Sequence, residues 1–215
     1  MNKAKSFIEK TIAKIQHGLV ISYLQSRLKQ LGLIVNPFFL DKEFYIPTCD
    51  LKVNITPKIH PLTTDFLVTS EIKSIFEHPE LNSMEPSYKI QDRILNGCLC
   101  FGVKYKGEII AYTWCDLERC NDKQVPFTLK ETEAYLFDMY TFIAFRGKNI
   151  APYMRHQLYA QLKEMGRIDF FSITEAFNSP SKRFKRKLGA QPIKLYLYLK
   201  IGKLFKRNIL LRSYN

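Results

Sequence analysis

The 215-residue chain has few of the residues that build metal sites and disulfide frameworks. It contains five cysteines and four histidines. The cysteines are odd in number and include no Cys-x-x-Cys pair, and the histidines are scattered without ligand spacing. Such a set is not typical of a disulfide-rich secreted domain or of a zinc site. We therefore expect reduced thiols, a cytoplasmic protein and no metal.

The sequence also lacks a long hydrophobic run. A membrane-spanning helix needs about 20 consecutive apolar residues, and charged residues interrupt every candidate stretch. Residues 3–31 instead carry apolar side chains at three- and four-residue intervals, which predicts an amphipathic helix ending at Gly32. The charges within it and the absence of a small-residue cleavage site exclude a secretory signal. We assign residues 1–36 to this helix and favour its packing on the domain or on a partner over its lying on lipid.

Acidic residues are missing from the last fifth of the chain. From Phe177 to Asn215 there are eleven Lys or Arg and no Asp or Glu, and the formal net charge of the chain is +13. This charge could attract a polyanionic ligand, contact an anionic membrane or nucleic acid, or form a solvated surface. Nucleic acid is disfavoured because no aromatic residues interleave with the basic ones on a groove-reading helix.

The tail at residues 200–215 alternates apolar and basic side chains. This pattern makes the tail short, basic and amphipathic. Such a tail would either cover the core or place the protein on the periphery of an anionic membrane, and the sequence leaves both interpretations open.

Hydrophobic residues are plentiful, at 46% of the chain with 13% aromatic, which is ample for the core of one sizeable domain. A helix is predicted from Thr63 or Thr64, and a hairpin around Lys106-Gly107. Further helices are predicted at 87–96, 150–165 and 178–189, and further strands at 133–142, 168–174 and 192–199. This order indicates an α/β fold with a mixed sheet.

The most informative segment runs from Tyr135 to Gly166 as a strand, a turn and a long helix. Its turn reads Phe145-Arg146-Gly147-Lys148-Asn149-Ile150-Ala151-Pro152. A strand that leads straight into a helix leaves several backbone N–H groups unpaired at the positive end of the helix dipole, which suits a phosphate. Arg146 and Lys148 add two full positive charges.

Two common phosphate-binding motifs are absent. No Gly-x4-Gly-Lys-Ser/Thr occurs, and the turn lacks the three glycines of a dinucleotide fingerprint. The turn instead resembles the central motif of the GNAT superfamily of acyl-CoA N-acyltransferases, a strand followed by Arg/Gln-x-x-Gly-x-Gly/Ala and a helix. Here it is Arg146-Gly-Lys-Asn149-Ile-Ala151, with Asn149 in place of the middle Gly. Asn tolerates a left-handed backbone better than other non-Gly residues, so we expect the loop to keep its shape.

A second element supports the resemblance. The run from Asn178-Ser-Pro-Ser181 to Leu188-Gly189-Ala190 is similar to a family helix of the form Asn-x-x-Ala/Ser that ends in Leu-Gly-Phe. Two departures are Ala190 at the closing Phe and Lys185 at the position of the Tyr that many members use as general acid. The resemblance covers about Leu62 to Leu199, and we assign residues 37–199 to the domain and 200–215 to the tail.

The resemblance implies a GNAT-like, mostly antiparallel mixed sheet with flanking helices and splayed central strands. It implies acetyl-CoA as co-substrate, with a small amine as acceptor. It places the pantetheine at Thr141, Phe142 and Ile143, and Asn178 and Ser181 beside the pantetheine arm. The diphosphate contacts fall at Arg146, Gly147, Lys148, Asn149, Ile150 and Ala151.

Candidates for proton transfer are Asp138, Tyr140 and Glu175. A carboxylate such as Asp138 within an apolar strand is costly unless it has a partner or a function, and burial would raise its pKa towards that of a useful base. Glu133 is a competing base, Tyr140 could replace the missing general acid, and Lys185 could assist electrostatically. Water could also remove the proton.

These features predict an N-acyltransferase that moves an acetyl or other acyl group from CoA to a primary amine. We expect the acceptor to be an amino sugar or another small amine. The loops at His78–Pro86 and Glu118–Glu131 would shape its pocket. Trp114 would lie either in the floor of that pocket or in the core. The alternative is a catalytically silent GNAT-fold sensor or assembly module that binds acyl-CoA.

Overall fold

The structure, a computed structural model, describes residues 27–81, 87–120, 122, 125–203 and 205–214. They divide into two compact units. The larger unit contains Lys42–Ser172 and Phe184–Ala190, and the smaller contains the described residues of Met1–Asp41, Ile173–Arg183 and Gln191–Asn215.

The described elements are named in chain order. The strands are β1 (Leu33–Glu43), β2 (Leu62–Phe66), β3 (Leu99–Tyr105), β4 (Glu108–Asp116), β5 (Arg119–Cys120), β6 (Phe127–Thr128), β7 (Glu133–Thr141), β8 (Asp169–Glu175), β9 (Gln191–Ile201) and β10 (Phe205–Ser213). The helices are α1 (Thr69–Glu77), α2 (Ser87–Leu95), α3 (Ile150–Glu164) and α4 (Ser179–Lys187). Strands β1 and β8 and helix α4 contribute residues to both units.

In the larger unit the strand order is β2-β3-β4-β7-β8. All neighbours are antiparallel except β7 and β8, which are parallel. Because successive strand residues point to opposite faces of a sheet, apolar residues are available on both faces, and two hydrophobic clusters form. Met154 and Leu158 of α3 pack with Phe101 in one, while Ile72 of α1 packs with Trp114 in the other. The predicted α/β layout is confirmed, and Trp114 is a fully buried core residue.

The β3–β4 hairpin forms as the sequence predicts. Its turn residues Lys106 and Gly107 both have positive φ, at 52° and 85°, as the tight two-residue turns of antiparallel hairpins require.

The predicted start of the helix at Thr63 or Thr64 is wrong. Leu62 to Phe66 form strand β2, which pairs with β3 from Leu62 opposite Tyr105 to Phe66 opposite Phe101. Helix α1 begins only at Thr69. Pairing with a neighbouring strand outweighs the local helical pattern, because each residue of β2 gains a cross-strand partner.

The smaller unit has the strand order β10-β9-β1-β8. Most of the amphipathic tail forms β10, antiparallel to β9 across a turn at Gly202. Alternation of apolar and basic side chains is typical of a strand. The core of this unit includes Phe38 stacked on Tyr196, with 5.4 Å between ring centroids.

The predicted N-terminal helix lies mostly outside the described residues. Its described part, Arg27 to Gln30, is helical, and Gly32 ends it with φ of 75°. Because β1 begins at Leu33, the predicted boundary at residue 36 falls inside a strand. No helix among the residues described above is long and apolar enough to cross a membrane.

Candidate active site

Strand β7 carries a β-bulge near its middle. Tyr140 lies opposite Tyr112 of β4, but Phe137 lies opposite Trp114, so β7 has one residue more than its partner over this interval. Asp138 takes up the extra length with φ of 44°, a left-handed conformation that is uncommon outside glycine. Bulges of this kind often lie beside active sites, where they redirect side chains and backbone groups.

The parallel ladder between β7 and β8 is short. It runs for three pairs, from Glu133 opposite Asp169 to Tyr135 opposite Phe171, and no pair of these two strands follows. Phe142 donates its amide to the carbonyl of Ile110 at the β4 side, at 3.0 Å. Since backbone groups alternate in direction along a strand, the amide of Thr141 points to the opposite edge, where the ladder has ended.

The loop after β7 presents unpaired amides to one place. Gly147 and Asn149 have positive φ, at 75° and 60°, and α3 begins directly at Ile150. Among the described residues, none accepts a hydrogen bond from the amides of Gly147 to Ala151. The prediction that Asn149 adopts the left-handed conformation is confirmed. These amides and the positive end of the helix dipole make a place suited to an anion, which we call the anion-binding corner.

Side chains brace this corner. The Asn149 amide nitrogen donates to the carbonyl of Thr56 at 3.2 Å, and Lys187 Nζ donates to Asn149 Oδ1 at 3.0 Å. Arg146 donates from Nε to the carbonyl of Thr141 at 2.9 Å, with its guanidinium over the Tyr140 ring. Lys187 is a third cation of the corner, beside Arg146 and Lys148.

The predicted pantetheine contacts divide into two groups. The amide of Phe142 is bonded to Ile110, and the amide of Ile143 donates to Glu80 Oε1 at 2.8 Å. Both amides therefore have acceptors within the protein. The chain enters a 3₁₀ turn at Ile143–Phe145 directly after the strand. Of the three residues, Thr141 directs its amide to the edge where the ladder with β8 has ended.

Comparison with family models gives one match, to the Acetyltransferase (GNAT) family, over residues 67–190. The chain belongs to the GNAT acetyltransferase family. The match begins before α1 and ends after α4, so it includes the bulged strand, the anion-binding corner and the helix after β8. A comparison of the sequence with curated proteins found no match.

Solved structures share the GNAT fold at low sequence identity. A putative GNAT-family acetyltransferase from Novosphingobium aromaticivorans has a TM-score of 0.52 and 14% identity, covering 81% of this chain and 69% of that one. A GNAT-family acetyltransferase from Colwellia psychrerythraea has a TM-score of 0.55 and 16% identity, covering 80% and 57%. The chain thus spans little more than half of the Colwellia protein.

Asp138 of this GNAT protein is not the buried carboxylate that the sequence predicts. The bulge turns it outward, its side chain is 51% exposed, and it pairs with Arg93 of α2. The Arg93 guanidinium also lies 5.2 Å from the ring centroids of Trp114 and of Phe137. Asp138 therefore has a charged partner in Arg93, and this ion pair connects α2 to the bulge.

Tyr140 forms a pair that sequence analysis missed. Its hydroxyl donates to Glu80 Oε1 at 2.9 Å, the same oxygen that accepts the Ile143 amide. Burial, together with the hydrogen bond and negative charge of Glu80, raises the pKa of Tyr140 above its ordinary value. Tyr140 therefore keeps its proton at neutral pH and can act as a donor. Glu80 lies in the loop that the sequence marks as substrate-shaping, but only the fold shows that it reaches Tyr140.

A cavity of about 470 Å³ adjoins this pair, within the usual range for small-molecule sites. It reaches the segment directly before the anion-binding corner. Its wall includes Glu71, His78, Glu80, Glu108, Phe142 and Phe145. The hydrogen bond from Lys104, and a second from the Val68 amide, lower the pKa of Glu71, which is ionised at neutral pH. Lys104 compensates the charge of Glu71 through a salt bridge, so the carboxylates of Glu80 and Glu108 give the wall its negative charge, beside two aromatic rings.

Lys185, at the position of the usual general-acid Tyr, is buried away from any such role. It donates to Ser172 Oγ at 2.6 Å and lies 3.5 Å from Glu43 Oε1. Glu43 is fully buried, accepts from Tyr159 and Ser172, and lies 3.7 Å from Arg155 Nε. We call these five residues the Glu43 cluster. Lys185 serves this cluster as a structural cation.

The remaining predicted site residues lie in the smaller unit. Asn178 caps α4, since its Oδ1 accepts the amide of Ser181 at 3.1 Å. Glu175 is exposed and accepts from Asn36 Nδ2 at 3.3 Å. In the larger unit, Glu133 lies at the start of β7 and accepts the amide of Lys130. The anion-binding corner follows the opposite end of β7, so Glu133 is remote from it.

Four of the five cysteines, Cys98, Cys100, Cys115 and Cys120, are poor nucleophiles. Burial raises the pKa of Cys98, Cys115 and Cys120 to about 12 each, and that of Cys100 is raised for the same reason. These thiols stay protonated at neutral pH, which argues against a covalent acyl-cysteine step at these positions. No cluster of metal-ligating side chains occurs among the described residues.

Proposed function

We propose that this GNAT protein transfers an acetyl or other acyl group from CoA to a small cationic primary amine. The observation that carries the proposal is the anion-binding corner: a left-handed Asn149, unpaired amides from Gly147 to Ala151, and the cations Arg146 and Lys148. The diphosphate of CoA would bind there. The pantetheine would run along β7 where the ladder with β8 has ended, with Thr141 offering its backbone.

Direct attack by the amine accounts for the groups nearby. The amine nitrogen attacks the thioester carbonyl, a C–N bond forms, the C–S bond breaks, and CoA leaves as a thiolate. Glu80 would take the proton that the ammonium must lose to become nucleophilic. Tyr140 would give its hydroxyl proton to the thiolate and recover one from Glu80, to which it is hydrogen-bonded. The last proton leaves the new amide nitrogen for solvent.

The charge of the cavity supports an acceptor class. Besides Glu71, which is paired with Lys104, Glu80 and Glu108 line it, and an amine is a cation at neutral pH. A nucleotide-linked amino sugar would bring phosphates towards these carboxylates and be repelled. A polyamine or a free amino sugar fits the wall better, so we propose these as the acceptors.

Charge reversal in the corner should weaken acyl-CoA binding. Charge-assisted hydrogen bonds contribute about 1.5–3 kcal/mol, so we expect Arg146→Glu or Lys148→Glu to raise the Kd for acetyl-CoA roughly 10- to 100-fold. Isothermal titration calorimetry measures this directly. The matched control is Lys163→Glu, which makes the same charge change in the last turn of α3, about 20 Å away at 1.5 Å per residue.

Equal weakening by Lys163→Glu would show only a general charge effect. Absence of any binding of acyl-CoA by the wild-type chain would overturn the proposed function. Binding without thiol release, tested against a panel of amines, would instead support the alternative of a catalytically silent sensor.

The acceptor class predicts a second charge effect. Close charges in water interact by about 1 kcal/mol each, so Glu108→Lys should raise the KM for a polyamine about tenfold while leaving the KM for acetyl-CoA unchanged. Glu77→Lys is the control, since Glu77 is exposed at the end of α1 and does not line the cavity. Faster turnover of a nucleotide-linked amino sugar than of a polyamine would contradict the proposed acceptor class.

A further inference from the structure

The last two strands expose a row of apolar side chains. All nine residues of β10 are exposed, and it is the last strand in the order of the smaller unit. Five large apolar residues of the β9–β10 hairpin are between 39% and 55% exposed, namely Ile201, Phe205, Ile209, Leu210 and Leu211. Single exposed apolar residues are ordinary, but a contiguous group marks an interaction surface.

Strand pairing places much of this group on one face of the hairpin. Directly opposite residues of an antiparallel pair share a face. Phe205 lies opposite Ile201, and Ile209 lies opposite Leu197. Leu199 lies between them on β9, opposite Arg207. We call this surface the hairpin face. The chain shifts register at Leu210–Arg212, which adds Leu211 as an extra residue beside the face.

The β9–β10 hairpin is strongly basic, and no acidic residue offsets its cations. Arg207 lies on the hairpin face, opposite Leu199, whereas Lys200 and Lys206 pair on the other face. The hairpin and its turn contain Lys194, Lys200, Lys203, Lys206, Arg207 and Arg212, and the sequence has no Asp or Glu after Glu175. A second copy pairing through the same strand would bring these cations against one another, which disfavours self-association. The positive charge of the hairpin therefore favours an anionic partner on the hairpin face.

The apolar residues narrow the choice among anionic partners. Single-stranded nucleic acid needs aromatic rings on which bases stack, whereas the hairpin face is mainly Leu and Ile. Aliphatic side chains on a hairpin rich in Lys and Arg suit the boundary between headgroups and acyl chains in an anionic bilayer. We propose that the hairpin face holds the protein on the surface of an anionic membrane. This inference is independent of the proposed acyl transfer.

Vesicle sedimentation tests the inference with the full chain. We expect sedimentation with phosphatidylcholine vesicles containing phosphatidylglycerol, weakened by added salt, and little with phosphatidylcholine alone. Phe205→Ser with Ile209→Ser should weaken the binding at least about tenfold, and so should Lys206→Glu with Arg207→Glu. Lys73→Glu with Lys163→Glu is the control for the charge change, since both residues are exposed in the larger unit.

The variants alter exposed side chains, and their thermal melts check that each folds. Failure of the wild-type chain to sediment with anionic vesicles would overturn the inference, as would equal loss of binding in the control. Tight, salt-sensitive binding to single-stranded RNA or to an acidic polypeptide, with no lipid binding, would overturn it in favour of that partner.

Discussion

Glu43→Ala should lower the free energy of unfolding by about 3–5 kcal/mol, because it leaves two cations buried without their counter-charge. Glu43 is fully buried, and Arg155 and Lys185 beside it are nearly so. The free energy of unfolding of a single domain is about 5–15 kcal/mol in total, so the variant would lose a large part of its stability. Urea denaturation followed by circular dichroism measures the change.

Removal of the whole cluster provides the contrast. Replacing a buried ionic group completely with apolar residues of similar size is often neutral or stabilising. We therefore expect Glu43→Met with Arg155→Met and Lys185→Met to be more stable than Glu43→Ala. A triple variant less stable than the single one would show that shape and hydrogen bonding, rather than uncompensated charge, determine the loss.

The same cluster predicts a dependence on pH. Burial alone would raise the pKa of Glu43, but the charges of Arg155 and Lys185, with hydrogen bonds from Ser172 and Tyr159, outweigh it and the pKa is lowered. The stabilisation is therefore fully present above the pKa of an unfolded Glu, about 4.3, and is lost as the pH falls through the lower folded value. The stability difference between wild type and Glu43→Ala should shrink over that range.

Glu80→Gln should reduce kcat by about 10²- to 10⁴-fold, the usual contribution of a positioned general base. The glutamine keeps a carbonyl oxygen that can accept from the Tyr140 hydroxyl and the Ile143 amide, so the wall of the cavity retains its shape. It has no carboxylate to take a proton. The KM for acetyl-CoA should stay unchanged, because the amides of the anion-binding corner are untouched.

Two variants accompany this measurement. Glu77→Gln removes an exposed carboxylate of α1 that lies outside the cavity wall and should leave kcat unchanged. Tyr140→Phe keeps Glu80 but removes the donor to the departing thiolate, so its loss should be larger with poor leaving groups than with activated thioesters. If Glu80→Gln turned over like the wild type, water would be the base and the relay through Tyr140 would be wrong.

Local sequence signals predicted the backbone shape of the anion-binding corner. A strand leading into a helix, Gly147, and an Asn at the left-handed position determine the corner within a few residues. The hairpin turn at Lys106-Gly107 and the Asn178 cap were predictable for the same reason. The hairpin turn and the cap depend on neighbours in the sequence, whereas the contacts of Asn149 with Thr56 and Lys187 come from distant positions.

Features set by distant contacts were not predictable. The bulge at Asp138 depends on a mismatch between β7 and β4, and it converts an expected buried carboxylate into an exposed partner of Arg93. Glu80 reaches Tyr140 across 60 positions of sequence. Residues 205–213 became a strand because β9 offers a pairing edge, which a short alternating segment does not reveal.

Asn149 occupies a position where the family usually has glycine, and this affects the entropy of the loop. A glycine would leave the corner free to sample many backbone conformations, whereas Asn149 is tied to Thr56 and Lys187 on separate parts of the chain. The loop is thus ordered before any ligand arrives. Less conformational entropy is then lost on association, and more of the contact energy appears as affinity.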